Sequence, residues 1–121
     1  YRLKDFRADI RNQDSDAIIS LEINEKVETA IGEGNGMIDA SVHAINKITG
    51  LDLNIVDYQS IAEETGSDAV GIEQVTMRLN SCKVKGYGHD TDTVRGAAKA
   101  VIDASNKMAF IISYFEKQNN K

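Results

Sequence analysis

Two stretches of this chain set glycines beside hydrogen-bonding residues where a helix should begin. The first is Gly32-Glu33-Gly34-Asn35-Gly36, with Asp39 shortly after; the second is Gly88-His89-Asp90-Thr91-Asp92-Thr93. Backbone N–H groups at a helix start form an anion site. A phosphate cradle is one version of such a site, but the residues argue against it. No Lys-Ser/Thr pair follows the glycines, their spacing is not G-x-G-x-x-G, and the preceding segment reads as antiparallel strands rather than a βαβ unit. Other chemistry is thinner. His43 and His89 stand alone, and His43 is expected at the surface of a helix. Cys82 has no histidine near it in sequence, and no serine or cysteine sits at a fixed spacing from His89, Asp90 and Asp92. The acidic residues Asp57, Glu63, Glu64 and Asp68 do not match an EF-hand loop and read as a solvated segment. We expect no catalytic and no metal-binding residue in this chain.

The elements that position these stretches follow from hydrophobic spacing. Leu3 to Arg11 reads as a strand, with Leu3, Phe6, Ala8 and Ile10 mostly on one side. A polar turn over Gln13 to Asp16 leads to a half-buried strand containing Ile19, Leu21 and Ile23. Asn24-Glu25 turns the chain into a third strand with Val27, Thr29 and Ile31, and the glycines from Gly32 to Gly36 break the pattern. From Met37 the period becomes helical, with Ile38, Val42, Ile45 and Ile48 on one stripe, and Gly50 stops the helix. Leu51, Leu53, Ile55 and Asp57 suggest a fourth strand, and Tyr58 to Ala69 an irregular acidic segment. Val70 to Leu79 reads as a fifth strand with Ile72, Val75, Met77 and Leu79 as core residues. Val84 and Tyr87 mark a sixth. Gly88 to Asp92 turns into a long second helix, with Thr91 or Asp92 as N-cap. Its seam is Val94, Ala98, Val101, Ser105, Met108, Ile112 and Phe115. The end, Gln118 to Lys121, should fray.

The chain also repeats itself. Ile19 to Asn24 overlays Val75 to Asn80 at an offset of 75 − 19 = 56, and the same offset places Gly32 on Gly88, Ala40 on Gly96 and Ala44 on Ala100. A fixed offset means two copies of one supersecondary unit. The expected fold is a single α+β domain over residues 1–121. It is built from two pseudo-symmetric strand-strand-strand-helix units (about 1–50 and 51–121), each an antiparallel three-stranded sheet covered by a helix.

Composition narrows the partners. At 121 residues there is room for one core and not two. The net charge of −5, with scattered Lys and Arg, gives no basic face for nucleic acid or an anionic membrane. No stretch approaches the roughly 18 apolar residues of a membrane span. One cysteine cannot form an internal disulfide, and it fits a reducing, cytoplasmic setting as a half-buried strand thiol. The chain opens on Tyr1, and we expect a domain excised from a longer protein. The second helix has more apolar seam than a small meander needs, which suggests a homodimer.

The helix starts carry a family resemblance. Gly32-Glu33-Gly34-Asn35-Gly36-Met37-Ile38-Asp39-Ala40 resembles the G-x-G-N-G-x-x-D-A motif of the regulatory domain of the 2-isopropylmalate synthase family. Val56-Asp57-Tyr58, Gly66-Ser67-Asp68-Ala69 and Gly86 to Asp92 resemble further segments of that domain, in the same order, over about Leu3 to Met108. Citramalate synthase carries the same domain. The resemblance implies a dimeric domain that binds an end-product amino acid, leucine or, in citramalate synthase, isoleucine. Binding slows a separate catalytic barrel, where acetyl-CoA condenses with a 2-keto acid on a divalent metal. That barrel's His-x-His pattern is missing here, so no cofactor is expected in this domain. An amino-acid effector needs donors for its carboxylate, acceptors for its ammonium and a dry pocket. Gly34, Asn35, Gly36, Thr91 and Thr93 could supply N–H donors. Asp39 could take the ammonium or simply favour the helix dipole. Ile38, Ile55, Tyr58, Ala62, Ala69 and Ile72 could line the apolar part, or, for several of them, belong to ordinary core. A small Ala62 leaves room for a leucine γ-branch, which favours leucine over isoleucine. A ligand-free dimerisation module is the alternative of another class.

Overall fold

The computed structural model of the protein describes residues 1–11, 14–62 and 71–119. The order is β1 (Arg2–Arg11), β2 (Asp14–Ile23), β3 (Lys26–Gly34), α1 (Met37–Thr49), β4 (Asn54–Ala62), β5 (Gly71–Leu79), β6 (Cys82–Asp90) and α2 (Thr93–Asn119). The strands form two antiparallel sheets, β1-β2-β3 and β4-β5-β6, each followed by its helix. This is the duplicated α+β architecture expected from the repeat. Left-handed residues supply the tight turns in a chain without proline. Asn24 and Glu25 carry φ of 50° and 68° between β2 and β3, and Asn80 carries 56° between β5 and β6. Gly50, at φ 74°, closes α1 by donating its N–H to the Asn46 carbonyl at 2.9 Å.

The register confirms the duplication and explains one departure from the sequence pattern. β2 and β3 map onto β5 and β6 at the offset of 56: Ala17 faces Gly32 as Glu73 faces Gly88. β1 maps onto β4 at 52, since Phe6 pairs with Ile19 as Tyr58 pairs with Val75. Both first strands carry an irregularity at the same place, between Leu3 and Asp5 and between Ile55 and Asp57. Such a bulge resets the two-residue period. Leu3 and Phe6 therefore share the inner face, as do Ile55 and Tyr58, and all four pack on the core. Strict alternation had suggested a strand through Leu51, Leu53, Ile55 and Asp57. The strand instead begins at Asn54 and continues through Tyr58 to Ala62, a stretch expected to be irregular. The remainder of that segment lies outside the described residues.

The core is one cluster shared by both units. Ile19, Leu21, Ile45, Leu53, Val75, Met77, Val101 and Met108 are fully buried in it. At about 1.5–3 kcal/mol per large apolar side chain, this burial holds helices that would be marginal alone, above all the 13-residue α1. Two asparagines tie the units together crosswise. On α1, Asn46 donates Nδ2 to the Leu53 carbonyl (3.0 Å) and accepts the Leu53 N–H at Oδ1 (3.3 Å). On α2, Asn106 treats Tyr1 in the same way, at 2.9 and 2.6 Å. Leu53 and Tyr1 are equivalent at the offset of 52, so each helix pins the lead-in to the other unit's first strand.

Of the glycines expected to break the third strand, Gly32 and Gly34 belong to it and serve close approach, while Gly36 lies beyond it as the N-cap of α1. A Cβ on Gly32 would lie 2.1 Å from the Ala40 carbonyl oxygen and 2.3 Å from the Ala44 nitrogen. A Cβ on Gly88 would lie 2.0 Å from the Gly96 oxygen and 2.7 Å from the Ala100 nitrogen. Ala40 and Ala44 become Gly96 and Ala100 at the offset of 56, so one contact is built twice. It also inverts β3: the small residues face the helix, while Val27 and Ile31, 57% and 51% exposed, face outward. The same logic puts Gly86 and Gly88 inward and Tyr87 outward on β6. On β5, Ile72 is half-buried on the outer face and the buried inner position belongs to Glu73, contrary to the expected core.

The α2 seam is buried from Ala98 to Met108, then emerges. Phe110, Tyr114 and Phe115 are exposed by 72%, 53% and 59%, so Phe115 does not join the core of this chain. Gly32→Ala and Gly88→Ala should each cost about 3 kcal/mol or prevent folding, because the obstructing atoms are backbone. Gly36→Ala should cost no more than about 0.5 kcal/mol, since nothing lies within 4 Å of its added Cβ and its φ is an extended −172°. Urea denaturation of the three variants measures the contrast.

Candidate functional site

The two helix starts are equivalent in the repeat but not in chemistry. At α1 the N-cap is Gly36, which offers no side chain to the first-turn N–H groups. Asp39, in that turn, accepts the Asn35 N–H at Oδ2 (3.2 Å), and its Oδ1 lies 3.5 Å from Nε2 of His43. His43 in turn hydrogen-bonds the Glu33 carbonyl through Nδ1. With Nδ1–H given to that carbonyl, Nε2 has a proton for Asp39 only when His43 is protonated, so the Asn35 N–H is what holds the half-exposed Asp39 at the positive end of the helix dipole. Beside it lies a largely polar cleft of about 170 Å³ between α1 and the lead-in to β4, lined by Asp39, His43, Asn46, Asp52, Asn54 and Ile55 among others. That is below the roughly 300–1,000 Å³ of drug-sized pockets.

At α2 the same position is already filled. Asp92 is the N-cap, accepting the N–H groups of Val94 (3.0 Å) and Arg95 (3.4 Å) at Oδ1. Asp90 accepts the Asp92 N–H at 2.9 Å and pairs with Lys99 at 2.8 Å and Arg95 at 3.5 Å. Burial pushes the Asp90 carboxyl up, but the hydrogen bonds from Lys99 and the Asp92 N–H, with the charges of Lys99 and Arg95, outweigh it and hold the group below its usual value. Thr91 and Thr93 are exposed at this start. An incoming anion would meet two carboxylates here and none of the open geometry found at α1.

Of the apolar candidates, Asp39's neighbour Ile38 is half-buried on α1, and Ile55 reaches the polar cleft while packing on the core. Tyr58 follows Ile55 on the inner face of β4. Ile72 lies on the opposite face of the sheet, in the row of Ile61 and His89. The side chain of Ala62, and Ala69 altogether, lie outside the described residues. Among the described residues no group of three His, Cys, Asp or Glu is placed to hold a metal ion. No helix of the described residues is long and apolar enough to cross a membrane.

Two features are not visible in residue spacing. One is a larger apolar cleft of about 590 Å³ between β6 and the far half of α2, bounded by Val84, Asn106, Phe110 and Ile111. Its signal was the surplus seam of α2. The other is Glu73, 1% exposed, which accepts the hydroxyl of Tyr58 at Oε2 and that of Ser60 at Oε1 (2.9 Å). Its signal was the alternation Glu73, Val75, Met77, in which an acid takes a core position. Burial, and then the hydrogen bond to Glu73, push the Tyr58 hydroxyl from its usual value near 10 up to about 12. The fold thus favours the neutral phenol, and this contributes stability that is complete below about pH 10 and lost as the pH rises through about 12. The urea midpoint of the unaltered chain should therefore fall more steeply across that window than that of Tyr58→Phe.

Comparison with known proteins agrees with this architecture. The family model described as LeuA allosteric (dimerisation) domain matches residues 1–109. A 2-isopropylmalate synthase of Erwinia tasmaniensis is 37% identical over 90 residues, covering 74% of this chain and 17% of the relative. Those of Syntrophus aciditrophicus and Escherichia coli O127:H6 are 34% and 33% identical, each match covering 18% of the relative and 78% and 80% of this chain. The chain thus spans less than a fifth of the length of these relatives. With two strand-strand-strand-helix units and a match over residues 1–109, the chain belongs to the LeuA allosteric (dimerisation) domain family.

Proposed function

We propose that this chain is the feedback-sensing domain of a cytoplasmic 2-isopropylmalate synthase and that its effector is L-leucine. The observation that carries the reading, beside the family match, is the uncapped start of α1 next to a cleft shared by Asp39 and Ile55. The effector carboxylate sits at the Gly34-Asn35-Gly36 start of α1, taking first-turn N–H groups that no side chain caps while the Asn35 N–H stays on Asp39, and the helix dipole there favours negative charge. Asp39, held by the Asn35 N–H, receives the ammonium. Ile38, Ile55 and Tyr58 supply the apolar wall. A one-methyl difference in shape is worth about 1–3 kcal/mol, which sets the scale of discrimination against isoleucine.

The chain works as a homodimer, and the exposed Phe110, Tyr114 and Phe115 on α2 supply apolar surface for a second copy. It is catalytically silent. The condensation of acetyl-CoA with 2-oxoisovalerate, and the divalent metal it needs, belong to a barrel elsewhere in the parent protein. Leucine slows that barrel by binding one arrangement of domains better than another, and coupling of this kind typically amounts to about 1–3 kcal/mol.

Isothermal titration of this chain with leucine, isoleucine and valine, alongside its mass in solution, tests the reading. Saturable leucine binding, weaker isoleucine binding and a dimeric mass are expected. Asp39→Asn should weaken leucine about tenfold or more, the loss of a charge-assisted hydrogen bond. Preference for isoleucine would transfer the domain to a citramalate synthase. A folded dimer that takes up none of the three would be a dimerisation module only.

A further inference from the structure

The two units differ most sharply beneath the start of α2. The inner face there carries Tyr58, Ser60 and Glu73, and the equivalent residues of the first unit are Phe6, Ala8 and Ala17. The residue above them on the helix is Gly96, where the first unit has Ala40. A Cβ on Gly96 would lie 2.9 Å from Cγ of Glu73. Four positions thus change in concert: one gains a carboxylate, two gain the hydroxyls that bind it, and one loses the methyl that would obstruct it. The nearby cations do not serve this carboxylate, because Arg95 and Lys99 pair with Asp90. An apolar set of the first unit's kind packs this fold at least as readily, since a buried charge seldom adds net stability. What the polar set adds is direction: with both hydroxyls donated to one buried carboxylate, Tyr58 has one hydroxyl orientation and one ring position.

We propose that Glu73 is a positioning residue for the amino-acid effector, fixing Tyr58 as the rigid wall of the pocket and confining recognition to one of the two units. The inference rests on the reading of the chain as an effector-binding domain. It makes the duplicated fold functionally asymmetric, with an open helix start from the first unit and a rigid aromatic wall from the second.

The test converts the second unit's set to the first unit's, as Tyr58→Phe, Ser60→Ala, Glu73→Ala and Gly96→Ala together in this chain. The expected variant melts as the unaltered chain does and has the same mass in solution, but binds leucine at least tenfold more weakly. Glu73→Gln is the second measurement, and it decides the matter if the fourfold variant does not fold. It should weaken leucine at least threefold and bring the Tyr58 hydroxyl, followed by tyrosinate absorbance, back toward its usual titration range. Unchanged leucine affinity in a folded variant overturns the positioning role and leaves the effector reading intact. Absence of leucine binding in the unaltered chain overturns the effector reading, and this inference with it.

Discussion

Everything else in this domain depends on how closely each helix lies on its sheet. The backbone of α1 touches β3 at Gly32, and that of α2 touches β6 at Gly88, at distances that leave no room for a β-carbon. Contact this tight fixes the depth and direction of each helix. It forces small residues onto the inner face of the third strand of each unit and sends the larger ones outward. It also brings each helix start to the edge of its sheet. The crosswise asparagine clamps then set one unit against the other.

Duplication supplied the frame, and divergence supplied the chemistry. The two helix starts began as equivalents, yet one is left open by Gly36 and the other is filled by Asp92, with Asp90 held between two cations. The two inner faces also began as equivalents, yet one is hydrocarbon and the other closes around a buried carboxylate. Neither difference disturbs the backbone, because each is satisfied locally. The Asp92 cap uses the orphan donors of α2, and Glu73 is served by hydroxyls from the neighbouring strand. A scaffold that tolerates such exchanges can specialise one copy of a site while the other keeps the core intact.

Much of this was legible in the residues. The offset of 56 is visible in the chain itself, and the helix periods, the Gly50 stop and a cap at Thr91 or Asp92 are local signals, set by residues within a few positions of one another; the structure has each of them, with Asp92 as the cap. The failures have one physical source. A bulge in β4 shifts the inner face from Asp57 to Tyr58, and no periodicity count detects an extra residue that only strand pairing defines. Gly32 and Gly88 looked like chain breaks because glycine serves both turns and close approach, and only the helix overhead distinguishes the two uses.

The sequence by itself determined the fold class, the duplication and the places where helices begin, because hydrophobic period and capping act over a few residues. Tertiary structure alone decided which helix start is open and which candidates share a face. Asp39 and Ile55 meet at one cleft, while Ile72 and Tyr58 occupy opposite faces of one sheet. It also decided that an acid on β5 lies in the core. Burial and hydrogen-bond satisfaction are properties of a neighbourhood assembled from distant segments, and the residues that complete Glu73's are Tyr58 and Ser60 on another strand and, more than twenty positions away, Gly96 on a helix.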